Sequence, residues 1–312
     1  MTFRDVLDVG KLAALALIAW LVPPRFWRKA AIATSCVGQT DRSEPLCNYI
    51  LGHKYPESEI AQLSIRHRGY VRELQLQIMG LNGPWRSWRP NIRLNGIVHL
   101  QRALEGGHGA ILWVTETAFS TLIVKMALHN EGYQACQLSR PGHGFSPSSF
   151  GIRFLNPIWT RVENRFIAER ILIIGESSAD AMAALRARLA ANGIVIITVA
   201  PLAHKFVEVT FFHDHLQLPS GPIRLAMATE AVLLPVFAVT KHDGGFEVSI
   251  QEPLYPISSQ TDTECIAKAY AERLEPFVLE HPDQWTGWNW LMSRMRISQA
   301  TSPSDAVTNS PV

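Results

Sequence analysis

Two groups of side chains in this chain have the type and the position to remove a proton from a substrate. Glu116 directly follows an apolar stretch, Ala110–Thr115, with the composition of a buried strand. The tripeptide His213-Asp214-His215 follows a second strand-like stretch, in which apolar residues alternate. A buried carboxylate can have its pKa raised towards neutrality, and an Asp can orient a neighbouring His. Glu116 and His215 are therefore candidate general bases.

Each candidate also has a purely structural interpretation. Glu116 at the start of a helix would be stabilised by the positive end of the helix dipole. His213 and His215 would simply face solvent if their loop is exposed, since a base or metal role needs further partners. Arg140 follows another predicted strand, where ligands commonly bind in an open α/β sheet. An arginine at that place can equally form a surface ion pair.

Composition narrows the possible functions. The cysteines have neither the close pairs of a zinc site nor the density of a disulfide scaffold. We therefore expect reduced cysteines, and neither a metal ion nor another cofactor. The net charge is only +2 and no dense basic stripe is present, which argues against nucleic acid as a partner. The cysteines are Cys36, Cys47, Cys136 and Cys265.

Predicted strands alternate with predicted helices along most of the chain. This alternation predicts an α/β fold, with a mainly parallel central sheet and helices on both faces. We expect one such domain over residues 31–296. Residues 297–312 are rich in Ser, Thr, Pro and Ala, which predicts a disordered tail. The main predicted strands are Ala110–Thr115, Tyr133–Ser139, Ile194–Val199 and Val232–Val239.

Residues 1–30 form a separate region. Leu12–Val22 is an unbroken apolar run that ends at two prolines. A helix that spans a bilayer needs about 20 apolar residues, so this run alone is short. A signal peptide, a core helix and a membrane-associating helix are all open, and the flanking basic and aromatic residues favour the membrane. Those residues are Trp20, Arg25, Phe26, Trp27, Arg28 and Lys29.

Several sequence blocks occur in the order typical of one known family. That order, from about residue 10 to residue 295, resembles the bacterial lipid A late acyltransferases, within the lysophospholipid acyltransferase superfamily. No single block is specific. The blocks are the apolar N-terminal helix ending in proline, residues 92–115, Ser139-Arg140-Pro141, residues 191–195, the Phe-Phe, Gly and Pro series in residues 209–237, and His281-Pro282-Asp283-Gln284-Trp285.

The resemblance implies acyl transfer from an acyl thioester to a hydroxyl of a lipid A-like or other membrane glycolipid. The implied donor is acyl carrier protein or acyl-CoA, and the implied location is the cytoplasmic face of the cell inner membrane. In this family a His takes the hydroxyl proton and an acid orients it, in the pattern His-X4-Asp/Glu. An arginine and nearby backbone donors hold phosphate or an oxyanion. The substrate-binding residues implied here are Arg140, Ser220, Gly221 and Arg224.

The sequence departs from the family at the catalytic pair. The resemblance places the His on Thr115 and the acid on Ser120. A neutral Thr cannot act as a general base near pH 7, so the chain's status as an enzyme is open. One explanation is a non-catalytic paralogue that binds lipid or supports a partner. A second is acyl transfer with the base moved to Glu116 or His215. A third is a changed reaction or a misaligned motif.

Overall fold

The computed structural model describes residues 2–35, 44–52, 54–175, 178–199, 205–254 and 262–296. A π-helical turn covers Gly151–Leu155. The α-helices are α1 (Phe3–Leu21), α2 (Trp27–Ser35), α3 (Glu44–Leu51), α4 (Glu57–Leu81), α5 (Ile97–Glu105), α6 (Ser120–Asn130), α7 (Asn156–Glu163), α8 (Ala179–Ala190), α9 (Gly221–Thr229), α10 (Thr263–Glu280) and α11 (Trp288–Arg294). The strands are β1 (Ile92–Asn95), β2 (Ala110–Val114), β3 (Ala135–Ser139), β4 (Glu169–Leu172), β5 (Ile194–Thr198), β6 (Phe206–Phe211), β7 (Asp214–Pro219), β8 (Val232–Thr240), β9 (Phe246–Ile250) and β10 (Met295–Arg296).

The central sheet has seven strands in the order β1-β9-β8-β2-β5-β3-β4. Its pairs are parallel, apart from the antiparallel pair of β8 with β9. Strands β10, β7 and β6 form a separate antiparallel sheet. The predicted α/β fold with a mainly parallel central sheet is confirmed.

Strand β2 lies at the middle of the sheet and divides its side chains between two cores, because successive residues of a strand point to opposite faces. Ile111 and Trp113 pack in the core that contains residues of α8, α9 and α10. Leu112 and Val114 pack in the core that contains residues of α5 and α6. Every residue of β2 is buried, as in a strand covered on both faces. The carboxyl end of β2, followed by Glu116, therefore lies between two layers of helices.

Three strands, β1, β7 and β10, were not predicted. Asn95 has the residue type of a helix cap, and the segment Ile92–Asn95 was therefore expected to lead directly into a helix. Its alternating burial makes it strand β1, and Gly96, with φ of 72°, precedes the helix instead. The expected loop around His215 is mostly strand β7, in which alternate residues from Asp214 are buried. A period of two in the buried residues is the signature of a strand with one covered face.

Glycine is required at the start of the central strand. Gly109 has φ of 72°, and a Cβ there would lie 2.6 Å from the carbonyl oxygen of Gly193. The N–H of Gly109 donates to the side-chain oxygen of Asn192 at 2.9 Å. The Asn192-Gly193 turn that ends α8 thus packs directly against the first residue of the strand that carries Glu116.

Helix α1 packs on the domain along one side. Leu15 and Ala19 are buried against it, whereas Leu17 and Leu21 are 59% and 78% exposed. Among the described helices, none is long and apolar enough on its own to cross a membrane. Phe3–Leu21 and Pro24–Ser35 together meet that length and composition, with a bend of 118° between them.

Two residues expected at a lipid surface have other contacts. Trp27 is buried and packs edge-on against Trp88, at a centroid distance of 5.2 Å. Arg28 forms an ion pair with Glu73 of α4 at 2.9 Å. These two side chains therefore fasten α2 to the domain. The flanking residues that remain exposed are Trp20, Arg25, Phe26 and Lys29.

Two hydrogen bonds join α1 to the segment that precedes the π-helical turn. The Ser148 hydroxyl donates to the Asp5 carboxylate at 2.7 Å. The Ser146 hydroxyl donates to the Asp8 carboxylate at 2.8 Å. The acidic residues that broke the apolar character of the N-terminal sequence thus have partners within the domain.

Some sequence predictions fall outside the described residues. They concern Ser177 as a helix cap, residues 200–202 as a departure from the family's third block, and the tail 297–312.

We expect Gly109→Ala to lower the free energy of unfolding by about 3 kcal/mol, because it adds a positive-φ penalty to the clash with Gly193. Gly107→Ala is the matched control, since Gly107 has φ of 79° and open space around its Cβ position. That variant should lose only about 1 kcal/mol. Urea denaturation followed by circular dichroism measures both. Equal losses would contradict the close approach of Gly109 to Gly193.

Candidate active site

A cavity of about 940 Å³ opens at the carboxyl ends of the parallel strands, the usual ligand site of an open α/β sheet. Glu116 lines it after β2, Ser139 and Arg140 after β3, and Thr198 at the end of β5. The first turn of α9, including Gly221, lines another side. The cavity is large enough for a chain-like organic substrate.

The cavity wall combines cationic and apolar side chains. Among the described residues, Glu116 is the one carboxylate in the wall. This arrangement suits a ligand with anionic groups and an apolar chain. The basic residues of the wall are Lys125, Arg140, His143, Arg186, Lys205 and Arg224. The apolar residues include Leu138, Ile152, Ile173, Met182, Ile197 and Leu225.

The carboxyl group of Glu116 has a strongly raised pKa. Burial raises its pKa from the ordinary 4.5 to about 7, although the indole N–H of Trp290, which donates to Oε2 at 2.8 Å, acts in the opposite direction. Desolvation disfavours the charged carboxylate, and one hydrogen bond only partly compensates. A group with this pKa can both accept and release a proton near neutral pH.

The main chain around Glu116 is held by the segment that follows α10. The N–H of Thr286 donates to the carbonyl oxygen of Glu116 at 3.1 Å. The N–H of Ala118 donates to the carbonyl oxygen of Gln284 at 2.9 Å. The closing block of the family pattern, which includes Gln284, therefore supports the turn after β2.

Thr115 and Ser120 do not line the cavity. Thr115 is buried and shares a hydrogen bond of 2.6 Å with the hydroxyl of Tyr270. The Ser120 hydroxyl is buried and bonds to the backbone of Thr117 on the same turn. Both side chains therefore have structural partners inside the protein. The resemblance had placed the catalytic His and acid at these two positions.

The side chains that face the cavity are those of Glu116 and Thr121. They are separated by four residues, as are the His and the acid in His-X4-Asp/Glu, but each lies one residue further along the chain. The Thr121 hydroxyl oxygen is buried and has no hydrogen-bond partner among the described residues. Glu116 and Thr121 thus have the spacing of the family's pair and line the cavity, whereas Thr115 and Ser120 do not.

His215 is not among the residues that line the cavity. Its side chain is about half exposed on β7, and its nearest charged neighbour is Glu208 at 3.9 Å. The chain does contain a His-X4-Glu spacing, at His242 and Glu247. His242 is exposed in the turn between β8 and β9, and Glu247 pairs with Lys241 at 3.2 Å. None of these residues is in the cavity wall.

The four predicted substrate-binding residues, Arg140, Ser220, Gly221 and Arg224, all line the cavity. Ser220 and Gly221 lie at the start of α9, whose dipole presents a positive end to the cavity. Arg224 is exposed at the cavity mouth, and Arg140 is half-buried. The mouth is therefore the cationic part of the site that solvent reaches.

Sequence reasoning missed a buried charged cluster beside the cavity. Glu163 of α7 is fully buried, and Lys125, Arg170 and His143 contact its Oε2 at 3.0, 2.6 and 3.0 Å. Burial alone would raise the pKa of Glu163, but the neighbouring cations outweigh it and hold that pKa well below the usual value. A lysine inside the apolar run 122–128 was the available signal, because buried lysines are almost always paired.

Comparisons with known proteins show similarity to one class of acyltransferases. Residues 154–296 match the profile of the family "Bacterial lipid A biosynthesis acyltransferase". The chain is 26% identical over 226 residues to a phosphatidylinositol mannoside acyltransferase of Mycobacterium tuberculosis, covering 71% of this chain and 61% of that protein. It is 28% identical over 194 residues to the enzyme of that name from Mycolicibacterium smegmatis, covering 61% and 58%.

The matched residues and the similarity to these acyltransferases support the resemblance to the bacterial lipid A acyltransferase family that the sequence blocks predicted. It spans about three fifths of the length of the curated relatives it matches.

We predict that Glu116→Gln makes stability less dependent on pH. The unfolded carboxyl loses its proton near its ordinary pKa, whereas the folded one retains it up to about 7. The free energy of unfolding should therefore fall as the pH rises between these values, and the Gln variant should avoid this loss. At pH 8 we expect the variant to be more stable by at most about 3 kcal/mol.

Chemical denaturation at a series of pH values measures this difference. The matched control is Glu105→Gln, because Glu105 is exposed at the end of α5. Its stability profile should follow that of the unsubstituted protein. If the free energies of unfolding of Glu116→Gln and the unsubstituted protein differ by the same amount at every pH, the raised pKa of Glu116 is contradicted.

Proposed function

We propose that this protein transfers an acyl group from an acyl thioester to a hydroxyl of a membrane glycolipid, with Glu116 as the general base. The observation that carries the proposal is the Glu116 carboxyl in the wall of the cavity, with a pKa of about 7. The relatives are named phosphatidylinositol mannoside acyltransferases, which supports a glycolipid as the acceptor class.

The composition of the cavity wall supports both substrates. Acyl carrier protein and acyl-CoA carry their acyl groups on a phosphate-containing arm, and either would meet the exposed cations Arg186, Lys205 and Arg224 at the mouth. Apolar residues such as Ile173 and Met182 would pack against the acyl chain. A glycolipid with a phosphate, such as a lipid A precursor or a phosphatidylinositol glycoside, could bind the same cations through its phosphate and the same apolar residues through its acyl chains.

The reaction assigned to Glu116 is one proton transfer coupled to one acyl transfer. The carboxylate takes the proton of the acceptor hydroxyl while the oxygen attacks the thioester carbon. A C–O bond forms, the C–S bond breaks, and the thiolate leaves. The proton on Glu116 then passes to the departing sulfur. A base with a pKa near the working pH is effective in both directions.

The alternative is a non-catalytic paralogue that binds lipid or supports a partner acyltransferase. Such a protein would need no titratable group at the end of β2. The Glu116 carboxylate stands at that place, in contact with the cavity and one residue after Thr115. This observation favours the enzyme over the binding protein.

We expect Glu116→Gln to lower the rate of acyl transfer by about 10²- to 10⁴-fold, because the amide cannot take a proton. The assay uses the full chain in detergent micelles with palmitoyl-CoA or palmitoyl acyl carrier protein. Phosphatidylinositol mannoside or a lipid A precursor is the acceptor, and mass spectrometry detects the product. Below about pH 7 the unsubstituted protein should lose activity as Glu116 becomes protonated.

A double variant tests the one-residue shift of the motif. Glu116→His with Thr121→Glu would place a His-X4-Glu pair at the cavity, and we expect activity within about tenfold of the unsubstituted protein. Thr115→His with Ser120→Glu, made together with Glu116→Gln, is the matched control, which should not regain the activity lost in Glu116→Gln because positions 115 and 120 are buried and do not line the cavity. Unchanged activity in Glu116→Gln would contradict the role of Glu116. Glycolipid binding without transfer by the unsubstituted protein would support the alternative.

We also propose that the protein binds the cytoplasmic face of the cell inner membrane through α1 and the turn after it. Leu17 and Leu21 present exposed apolar surface. Arg25 and Lys29 are exposed beside them and would meet anionic headgroups. Trp20 and Phe26 are partly exposed and suit the interfacial layer.

Leu17→Glu combined with Leu21→Glu should weaken binding to anionic vesicles by at least about tenfold, because two apolar side chains no longer enter the lipid. Val98→Glu is the control, since Val98 is exposed on α5 to a comparable extent, 41%. Vesicle co-sedimentation measures both variants. Equal binding by the double variant and the unsubstituted protein would contradict this membrane surface.

A further inference from the structure

Lys125 is a buried cation at the bottom of the cavity. Its side chain is 2% exposed, yet it contributes to the cavity wall. It lies one helical turn after Thr121 on α6, so the two side chains share a face of the helix. Its ammonium contacts Glu163, and both Lys125 and Glu116 line the same cavity.

The cluster around Lys125 carries more positive charge than one carboxylate can balance. Glu163 already contacts Arg170 and His143, and it accepts a hydrogen bond from the indole N–H of Trp159 at 2.9 Å. Lys125 adds a second cation to the same carboxylate. Buried charge without full compensation is costly, and this cluster adjoins the cavity at Lys125 and His143. An anionic atom in the cavity would provide the missing negative charge.

The Lys125 ammonium also has hydrogen-bonding capacity to spare. It carries three N–H donors. Among the described residues, its one polar partner is the Glu163 carboxylate, at 3.0 Å from Oε2. Donors therefore remain for an oxygen that enters the cavity between Lys125 and Glu116.

We propose that Lys125 is a further catalytic residue, whose ammonium holds the thioester carbonyl oxygen as that oxygen becomes negatively charged. This inference rests on the acyl transfer proposed for the same cavity. Because Lys125 is buried, we assign it to the carbonyl oxygen and assign phosphate binding to the exposed cations. Arg186, Lys205 and Arg224 are exposed at the mouth, whereas Lys125 is buried on the helix that begins beside Glu116.

The step balances without any additional reactant. As the acceptor oxygen attacks the thioester carbon, its proton moves to Glu116 and the carbonyl electron pair moves onto the carbonyl oxygen. Lys125 donates hydrogen bonds to that oxyanion and keeps its own proton. The electron pair then returns, the C–S bond breaks, and the thiolate takes the proton from Glu116. Fixed donors aimed at a developing oxyanion act most strongly where water is excluded.

The charge of Lys125 gives the proposal a specific pH signature. Burial lowers its pKa to about 8; Glu163 opposes this shift, and Arg170 adds to it. The ammonium is therefore lost above about pH 8. Activity should rise through the pKa of Glu116, about 7, and fall through that of Lys125. Glu163 on α7 and Arg170 on β4 act electrostatically on Lys125, His143 contacts the same Glu163 carboxylate, and Arg140 and Glu116 line the same cavity.

The first experiment compares Lys125→Arg and Lys125→Met in the acyl-transfer assay between about pH 6 and about pH 9. An arginine stays protonated at these pH values, so Lys125→Arg should remain active and lose the alkaline decline. Lys125→Met should lower kcat by about 10²-fold, with KM changed less than about threefold. Arg170 and His143 still compensate Glu163 in this variant, and thermal melting verifies that it folds.

Lys205→Met is the matched control for position, because Lys205 is a cation at the mouth. We expect it to raise KM for the donor and to leave the alkaline decline in place. Lys125→Met with unchanged kcat, or an alkaline decline that persists in Lys125→Arg, would overturn the proposal. If the unsubstituted protein transfers no acyl group, the proposed function fails, and binding measurements then test Lys125 separately.

Those binding measurements use two long-chain probes, and calorimetry with the full chain provides the affinities. Hexadecyl trifluoromethyl ketone forms a hydrate that resembles the tetrahedral intermediate, and hexadecyl phosphate offers a phosphate. Lys125→Met should weaken binding of the ketone by about tenfold or more, and of the phosphate by less than about threefold. The reverse order would identify Lys125 as a phosphate ligand and overturn the assignment, as would unchanged binding of both probes.

Discussion

Hydrogen bonds between two parts of the chain that are distant in sequence fix the position of Glu116. The turn after β2 exchanges them with the segment that follows α10, through Thr286 and Gln284. Because the main chain is held on both sides, the carboxyl group stays in a poorly solvated environment and under the indole of Trp290. The raised pKa is therefore a product of the fold. The His-Pro-Asp-Gln-Trp block near the end of the chain therefore holds the main chain of the turn that carries Glu116.

The charges around the cavity are arranged by depth. The exposed cations lie at the mouth, where water screens them and an approaching phosphate can displace that water. Lys125 and Glu163 lie at the bottom, where screening is weak and each charge acts strongly on its neighbours. The proposed substrate, with a phosphate at one end and a reacting carbonyl further along, would place an anionic group at the exposed cations and the carbonyl near the buried ones. Apolar residues also line the cavity.

The fold could be predicted because β2, β5 and β8 are long apolar segments that alternate with helices, and such segments have few other arrangements. The location of the cavity followed from the same reasoning, and Glu116, Arg140 and Gly221 all line it. Which residues of the turn after β2 line the cavity did not follow from the sequence. Where a strand passes into a helix, neither a period of two nor a period of 3.6 applies, so sequence cannot tell whether Thr115 or Glu116 faces the ligand.

Lys125 was missed for a different reason. Its partner Glu163 lies on another helix, and pairing between distant helices leaves no local pattern in the sequence. Strand β7 was missed because only one of its faces is covered, which makes its apolar pattern short and weak. In each case the information was tertiary, and only the packed chain reveals it.

The contacts of α1 have a practical consequence for work with this protein. Removal of the N-terminal helix is a common way to make a membrane-associated protein easier to handle. Here it would take away Asp5 and Asp8, the carboxylates that receive the hydroxyls of Ser148 and Ser146. These serines stand beside Pro147, which lines the cavity. A shortened chain would thus lose both hydrogen bonds beside the cavity rim, and measurements on it would not represent the intact cavity.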